Sequence, residues 1–146
     1  KDDVQFLFAA NLNQSLRRVA EVASGGEISR LMLCIKALIA STNGLPTIIF
    51  DEIDTGVSGQ IADAMGRIIA KLSQSMQVIN ITHLPQVASK GKTHFVVYKE
   101  DTLLGTTTSI RQLSARERID EIAKMLSGST VTAAAIEQAK CLLNAK

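Results

Sequence analysis

A continuous apolar run, Thr47-Ile-Ile-Phe50, that opens after Pro46 and ends on two carboxylates, Asp51 and Glu52, sets the strongest limit on what this chain can fold into. Such a run reads as a strand covered on both faces. After the loop Asp54-Thr-Gly-Val-Ser-Gly59, the residues Ile61, Ala62, Met65, Ile68, Ile69 and Leu72 recur at helical spacing, and Ser73 to Ser75 close that helix. Gln77-Val-Ile-Asn-Ile81 follows as a second strand. Strand, helix and strand in this order dictate a parallel pairing joined by a crossover helix, so the fold class is α/β.

The rest of the chain adds elements around that unit. Val4, Phe6 and Phe8 alternate as in a strand, and Asn11 to Asn13 supply turn residues after it. From Glu27 to about Ser41, Ile28, Leu31, Met32, Ile35, Leu38 and Ile39 keep helical spacing, with Leu33, Cys34 and Ala37 between them, which predicts a largely buried helix stopped by Asn43-Gly44. Gln86 to Lys90 read as one helical turn. His94 to Lys99 and Gly105 to Leu113 read as a hairpin turning at Glu100-Asp101-Thr102. Two helices finish the chain, one from Ala115 to Leu126 with Asp120 set to pair Lys124, the other from Thr132 to Asn144.

Composition narrows the function classes. At 146 residues, 46% of them apolar and 21% charged, the chain has enough for one domain with a real core, and disorder is excluded. A net charge of +2 and five aromatic residues make no basic, aromatic-interleaved platform for stacking bases. Cys34 and Cys141 lie inside helical patterns and read as small buried apolar residues, not as a disulfide or zinc pair. No stretch reaches the roughly 18 apolar residues of a membrane span, and the charged start Lys-Asp-Asp is unlike a signal peptide, so a soluble cytoplasmic protein is expected. A first residue of Lys1 in place of Met is compatible with a processed or truncated product.

Chemistry is concentrated in a few places. Ser24-Gly-Gly-Glu27 puts two glycines and a hydroxyl at the start of the first long helix, where unpaired N–H groups and the helix dipole attract an anion and glycine lets it approach. The same residues fit the S-x-x-E capping box, and Ser114-Ala-Arg-Glu117 repeats that box without glycine. Asp51 and Glu52 stand at the carboxyl end of a strand, the edge on which open parallel sheets place their sites. There one acid can hold magnesium and the next can polarise a water for attack on a phosphate, against the plain alternative of a solvated loop start. Asp54 adds a third acid. His83 follows the next strand and should lie beside Asp51 and Glu52, either as a phosphate contact or as an ordinary polar residue. His94 is assigned no role. Lys90-Gly91-Lys92-Thr93 is no P-loop, because G-x-x-x-x-G-K-[ST] needs glycine where Gln86 stands. The remaining Lys and Arg residues are spread along the chain, and most are expected to be solvated.

Four elements in order, Ser24-Gly25-Gly26-Glu27, the strand ending in Asp51-Glu52, the acidic loop at Asp54 and His83 after the next strand, resemble the ABC-type ATPase heads. There they would be the signature motif, the Walker B motif, the D-loop and the switch histidine. The strings Ala23 to Leu33, Phe50 to Gly59 and Ile81 to Ala88 resemble the RecN family of SMC-like bacterial DNA double-strand-break repair ATPases. Met125-Leu-Ser-Gly128 followed by a short helix is similar to that family's C-terminus, so the resemblance covers nearly the whole chain.

The resemblance implies the C-terminal half of a P-loop NTPase head: a mainly parallel sheet flanked by helices, with a hairpin and two C-terminal helices, residues 1–146 forming a single lobe. Only 23 residues precede Ser24, too few for the Walker A lobe and glutamine loop of such heads. The expectation is therefore a C-terminal lobe apart from its N-terminal lobe and coiled coil. With ATP and magnesium in the complete head, Asp51 would help hold the metal, Glu52 would activate water and His83 would contact the γ-phosphate. Ser24, Gly25, Gly26 and Glu27 would meet nucleotide held by the second head of a homodimer. Implied partners are the N-terminal lobe, that second head and DNA, in a nucleoid-associated, cytoplasmic setting and with no membrane. Two rivals stay open: the nucleotide-binding domain of a membrane transporter, against which Ile53 to Gly59 departs from the transporter sequence Ser-Ala-Leu-Asp, and a non-enzymatic interaction module.

Overall fold

The computed structural model describes residues 4–9, 12–43, 45–51, 53–102, 105–128 and 130–144. In chain order the elements are β1 (Leu7–Phe8), β2 (Arg17–Arg18), α1 (Val19–Val22), α2 (Gly25–Asn43), β3 (Thr47–Asp51), α3 (Gly59–Leu72), β4 (Gln77–Ile81), α4 (Pro85–Ala88), β5 (Phe95–Thr102), β6 (Gly105–Gln112), α5 (Ala115–Ser127) and α6 (Ala133–Asn144).

β3 and β4 pair in parallel, Thr47 opposite Gln77 and Asp51 opposite Ile81, with α3 as the crossover. Among the described residues this is the one parallel pairing; β1 with β2 and β5 with β6 are antiparallel and form separate two-stranded sheets. The first strand is shorter than its alternation predicts, because only Leu7 and Phe8 find partners, in Arg18 and Arg17. The hairpin is tighter than predicted: its pairing continues through Glu100 and Asp101 to Thr102 opposite Gly105, whose φ of 129° belongs to glycine.

One apolar cluster joins Leu33 of α2, Phe50 of β3, Val57, then Ala62, Met65, Ile69 and Leu72 of α3, and Val87 of α4. A second joins Ile122 and Ala123 of α5 to Ala135 and Ala139 of α6. α4 lies between them, Val87 belonging to the first cluster and Ala88 packing on the second. α3 reaches α4 closely at Gly66, where an added Cβ would stand 3.2 Å from the Gln86 carbonyl oxygen.

Several expectations fail here for one reason, that some apolar faces have nothing over them. Ile48 and Phe50 face the core, but Ile49, Ile79 and Ile81 on the opposite face of the parallel pair are exposed, so β3 is covered on one side only. α2 turns Leu33 and Ala37 to the core, while Ile28, Met32, Leu38 and Ile39 of the predicted stripe are exposed. Cys34 and Cys141 are exposed, against the expectation that they are buried. Lys124 pairs with Glu121 at 3.7 Å, and no bond to Asp120 is formed.

Candidate functional site

The carboxyl ends of β3 and β4 lie side by side, since parallel register puts Asp51 opposite Ile81. Asp51 shares the open face of the pair with Ile49, and its side chain is exposed. Glu52 lies outside the described residues. Past it the chain makes a turn in which Val57 N–H donates to the Asp54 carbonyl at 3.1 Å, with Gly56 at a φ of 72° in the third position, the requirement of a type II turn. Val57 plugs into the core and fixes one end of this loop.

Asp54 fixes the other end. Its side chain is 1% exposed, and Thr82, two residues before Leu84 in the loop after β4, donates its hydroxyl to Asp54 Oδ2. The Thr82 hydroxyl also accepts from Leu84 N–H at 3.0 Å, a side-chain turn that leads into Pro85, the first residue of α4. His83 is exposed over 66% of its side chain, and its Nδ1 stands 3.7 Å from Asp54 Oδ1. The side chain that meets His83 is thus Asp54, while Asp51, beside which His83 is expected, stands opposite Ile81, two residues before it.

Ser24 sits at the start of α2 and makes the full capping box. Its N–H donates to Glu27 Oε2 at 2.7 Å, its hydroxyl to the same oxygen at 2.8 Å, and Glu27 N–H donates back to Ser24 Oγ at 3.3 Å. The Ser24 backbone bond, then its hydroxyl and the charge of Arg30, hold the Glu27 carboxyl below its usual range. Gly25 is exposed with open space where a Cβ would be, whereas a Cβ on Gly26 would stand 3.0 Å from the Thr55 carbonyl oxygen. The helix start thus rests on the loop that carries Asp54, and Ser24-Gly-Gly-Glu27, the Asp54 loop and His83 form one connected row.

For magnesium, the donor set available at the described residues is the Asp51 carboxylate. One carboxylate with phosphate oxygens and water fits that ion's habits. No group of three or more His, Cys, Asp or Glu side chains that could hold a metal by themselves occurs among the described residues. A depression of about 490 Å³ elsewhere is lined by Phe8, Asn13, Gln14, Ser15 and Arg17, and its one charge pairs with Glu21 at 3.7 Å.

Two residues that the sequence does not mark organise this region. Thr82 gives no sign beyond its place before His83. Arg118 of α5, which the sequence does not single out, directs its guanidinium to the carbonyls of Ala88 and Lys92, both at 3.4 Å, of Ser89 at 2.9 Å, and of Gly91. Burial lowers the pKa of Arg118. The same burial, with Arg118 beside it, lowers that of His94. The Lys90 to Thr93 stretch therefore carries a turn held by its carbonyls, not a phosphate cradle.

No protein-family model matches the chain. Among curated proteins, the DNA repair protein RecN of Halalkalibacterium halodurans is 43% identical over 143 residues, which are 98% of this chain and 25% of that protein. RecN of Bacillus subtilis is 46% identical over 97% of this chain and 25% of its own length, and RecN of Treponema pallidum 41% identical over 99% and 25%. The chain thus spans about a quarter of the length of the curated relatives it matches. In fold it is similar to the Smc head domain with a coiled coil and joint from Pyrococcus yayanosii, at a TM-score of 0.65 and 22% identity over 77% of this chain and 21% of that one. A second solved chain, from work on the ATP-driven dimerization and DNA-stimulated activation of SMC ATPases, superposes at a TM-score of 0.63 and 19% identity over 81% of this chain and 70% of its own. Over nearly its whole length the chain is thus similar to a segment of the RecN proteins, and its fold is that of the Smc head domain.

Proposed function

We propose that this segment supplies one lobe of an ATPase head in a DNA repair protein, and that two such heads join around ATP and separate when it is hydrolysed. The observation that carries the reading is the parallel register of β3 and β4, which sets Asp51 beside the root of His83 and leaves the loop of Asp54 between them. In the complete protein Asp51 would help hold magnesium, which with ATP bound supplies neutralisation of the phosphate charge. Glu52 takes the proton of the attacking water, and His83 contacts the γ-phosphate. Ser24, the N–H groups of Gly25 and Gly26, and the helix start that Glu27 stabilises act on nucleotide carried by the other head.

The open face bearing Ile49, Ile79 and Ile81 supports a further part of this reading, that the N-terminal lobe of the same head covers it. DNA is held through the complete protein, in the cytoplasm. Among the described residues no helix is long and apolar enough to cross a membrane. The 146 residues contain no G-x-x-x-x-G-K-[ST] sequence, so by themselves they are expected to bind no ATP in a calorimetric titration. Tight magnesium-dependent binding by this stretch alone would remove the two-lobe reading. In the complete protein, Glu52→Gln should lower the hydrolysis rate by about 100-fold or more, the range for a lost general base. A rate equal to wild type would take Glu52 out of its role.

A further inference from the structure

A carboxylate withdrawn from water is expensive unless its oxygens are hydrogen-bonded. Asp54 is 1% exposed, yet among the described residues only Oδ2 has a hydrogen-bond partner, the Thr82 hydroxyl, and Oδ1 has none. The Thr82 hydroxyl already accepts from Leu84 N–H, so its single hydrogen is free to be committed to Asp54. His83 Nδ1 stands 3.7 Å from the unpartnered Oδ1, a short ring rotation from bonding distance.

We propose that Asp54 and Thr82 are a positioning pair for His83: Thr82 holds the carboxylate in one orientation, and Oδ1 takes the Nδ1–H of the imidazole. The consequence for the ring is chemical as well as geometric. A solvated neutral histidine prefers its proton on Nε2, but a carboxylate at Nδ1 selects the other tautomer and turns the Nε2 lone pair outward. On gaining a proton there, Nε2 becomes a donor toward an anionic oxygen while Nδ1–H stays on Asp54, the division of labour by which a buried acid orients a histidine in hydrolases. Asp54 in this assignment meets neither metal nor nucleotide; it acts through His83. The same loop carries Thr55 against Gly26, so the loop that sets the His83 ring also meets the start of α2. What His83 does toward phosphate rests on the proposed ATPase function; its tautomer does not.

The tautomer can be read directly. Nitrogen-15 spectra of the imidazoles in the 146-residue chain, recorded where they are neutral and assigned by the signals lost in His83→Gln, should show His83 as the Nδ1–H form in wild type and in Thr82→Ser. Asp54→Asn and Thr82→Val should return it to the Nε2–H form. A wild-type His83 in the Nε2–H form, or a Thr82→Val spectrum like wild type, overturns the pairing. The complete protein provides a second readout that loss of folding would not mimic: Thr82→Val should lower kcat by about 10- to 100-fold at unchanged KM for ATP, the scale of a misplaced catalytic group, and Thr82→Ser should restore it. A Glu52-dependent ATPase with wild-type kcat in Thr82→Val removes the positioning role. An activity indifferent to Glu52 removes the ATPase reading and leaves the spectra to decide the pairing.

Discussion

Two helices of this molecule start on the same reciprocal hydrogen bonds, and their surroundings differ. At α2 the Ser24 N–H meets Glu27 at 2.7 Å and Glu27 N–H meets Ser24 Oγ at 3.3 Å; at α5 the corresponding bonds of Ser114 and Glu117 are 2.9 and 3.3 Å. The first two helical positions are Gly25-Gly26 in one and Ala115-Arg116 in the other. Ala115 and Arg116 are exposed, while a Cβ on Gly26 would crowd the Thr55 carbonyl oxygen at 3.0 Å. At α5 a nearby cation completes the box, Arg111 binding Glu117 at 2.6 Å. Capping is therefore local chemistry that any helix can use, and Gly26 of α2 records a close approach by the Thr55 loop, outside the helix.

Removing the same hydroxyl from both places gives the strongest way to break this contrast. In the complete protein Ser24→Ala should cut ATP hydrolysis by about 100-fold, as loss of a preorganised donor to phosphate does. Ser114→Ala should leave the rate within about twofold of wild type, since its loss is a cap's alone. Equal effects in a steady-state assay would make the two boxes equivalent. The packing beneath each helix sets the next scale. Leu33→Ala under α2 and Ile122→Ala under α5 remove side chains 1% and 0% exposed, and each should cost about 2–5 kcal/mol in urea unfolding of the chain. A cost below that range at Leu33 alone would show that α2 is anchored elsewhere. Stability should treat the two caps alike where activity does not: Ser24→Ala and Ser114→Ala should each cost about 1 kcal/mol. The smallest effect separates them by acid. The Ser114 backbone and hydroxyl, with Arg111, lower the Glu117 pKa to about 2 from 4.5, so its stabilising contribution is complete above 4.5 and lost as pH falls toward 2. Acid titration of wild type and Glu117→Gln should therefore converge near pH 2, and curves that stay parallel would contradict the assignment.

Much of the site was legible because its signals are local. The apolar run before Asp51, the helix after Gly59 and the strand before Thr82 fix the β3–α3–β4 unit, and that unit alone brings Asp54 and His83 together. Faces were harder to read. The stripe Ile28, Met32, Ile39 has correct helical spacing, yet Leu33 and Ala37 take the core side, because α2 is apolar around most of its circumference and spacing cannot choose among several apolar faces. Cys34 and Cys141 failed for the same reason, a small residue in an apolar helix carrying no direction. Arg118 and Thr82 were invisible because their partners are main-chain carbonyls and a distant carboxylate, 26 to 30 residues away for Arg118 and 28 for Thr82, which no short motif encodes. The uncovered face of Ile49, Ile79 and Ile81 makes one more expectation, that the isolated chain self-associates; light scattering showing a clean monomer at high concentration would count against it.

Arg118 has a mechanical consequence. Its planar guanidinium spans the carbonyls at the end of α4 and in the turn to Lys92, and α4 begins two residues after His83. A rotamer change cannot relieve a load on that fork without releasing several bonds at once. The α5–α6 pair and the histidine loop are therefore tied by bonds that share one rigid group, and a shift of α5 that keeps them must carry the end of α4 with it.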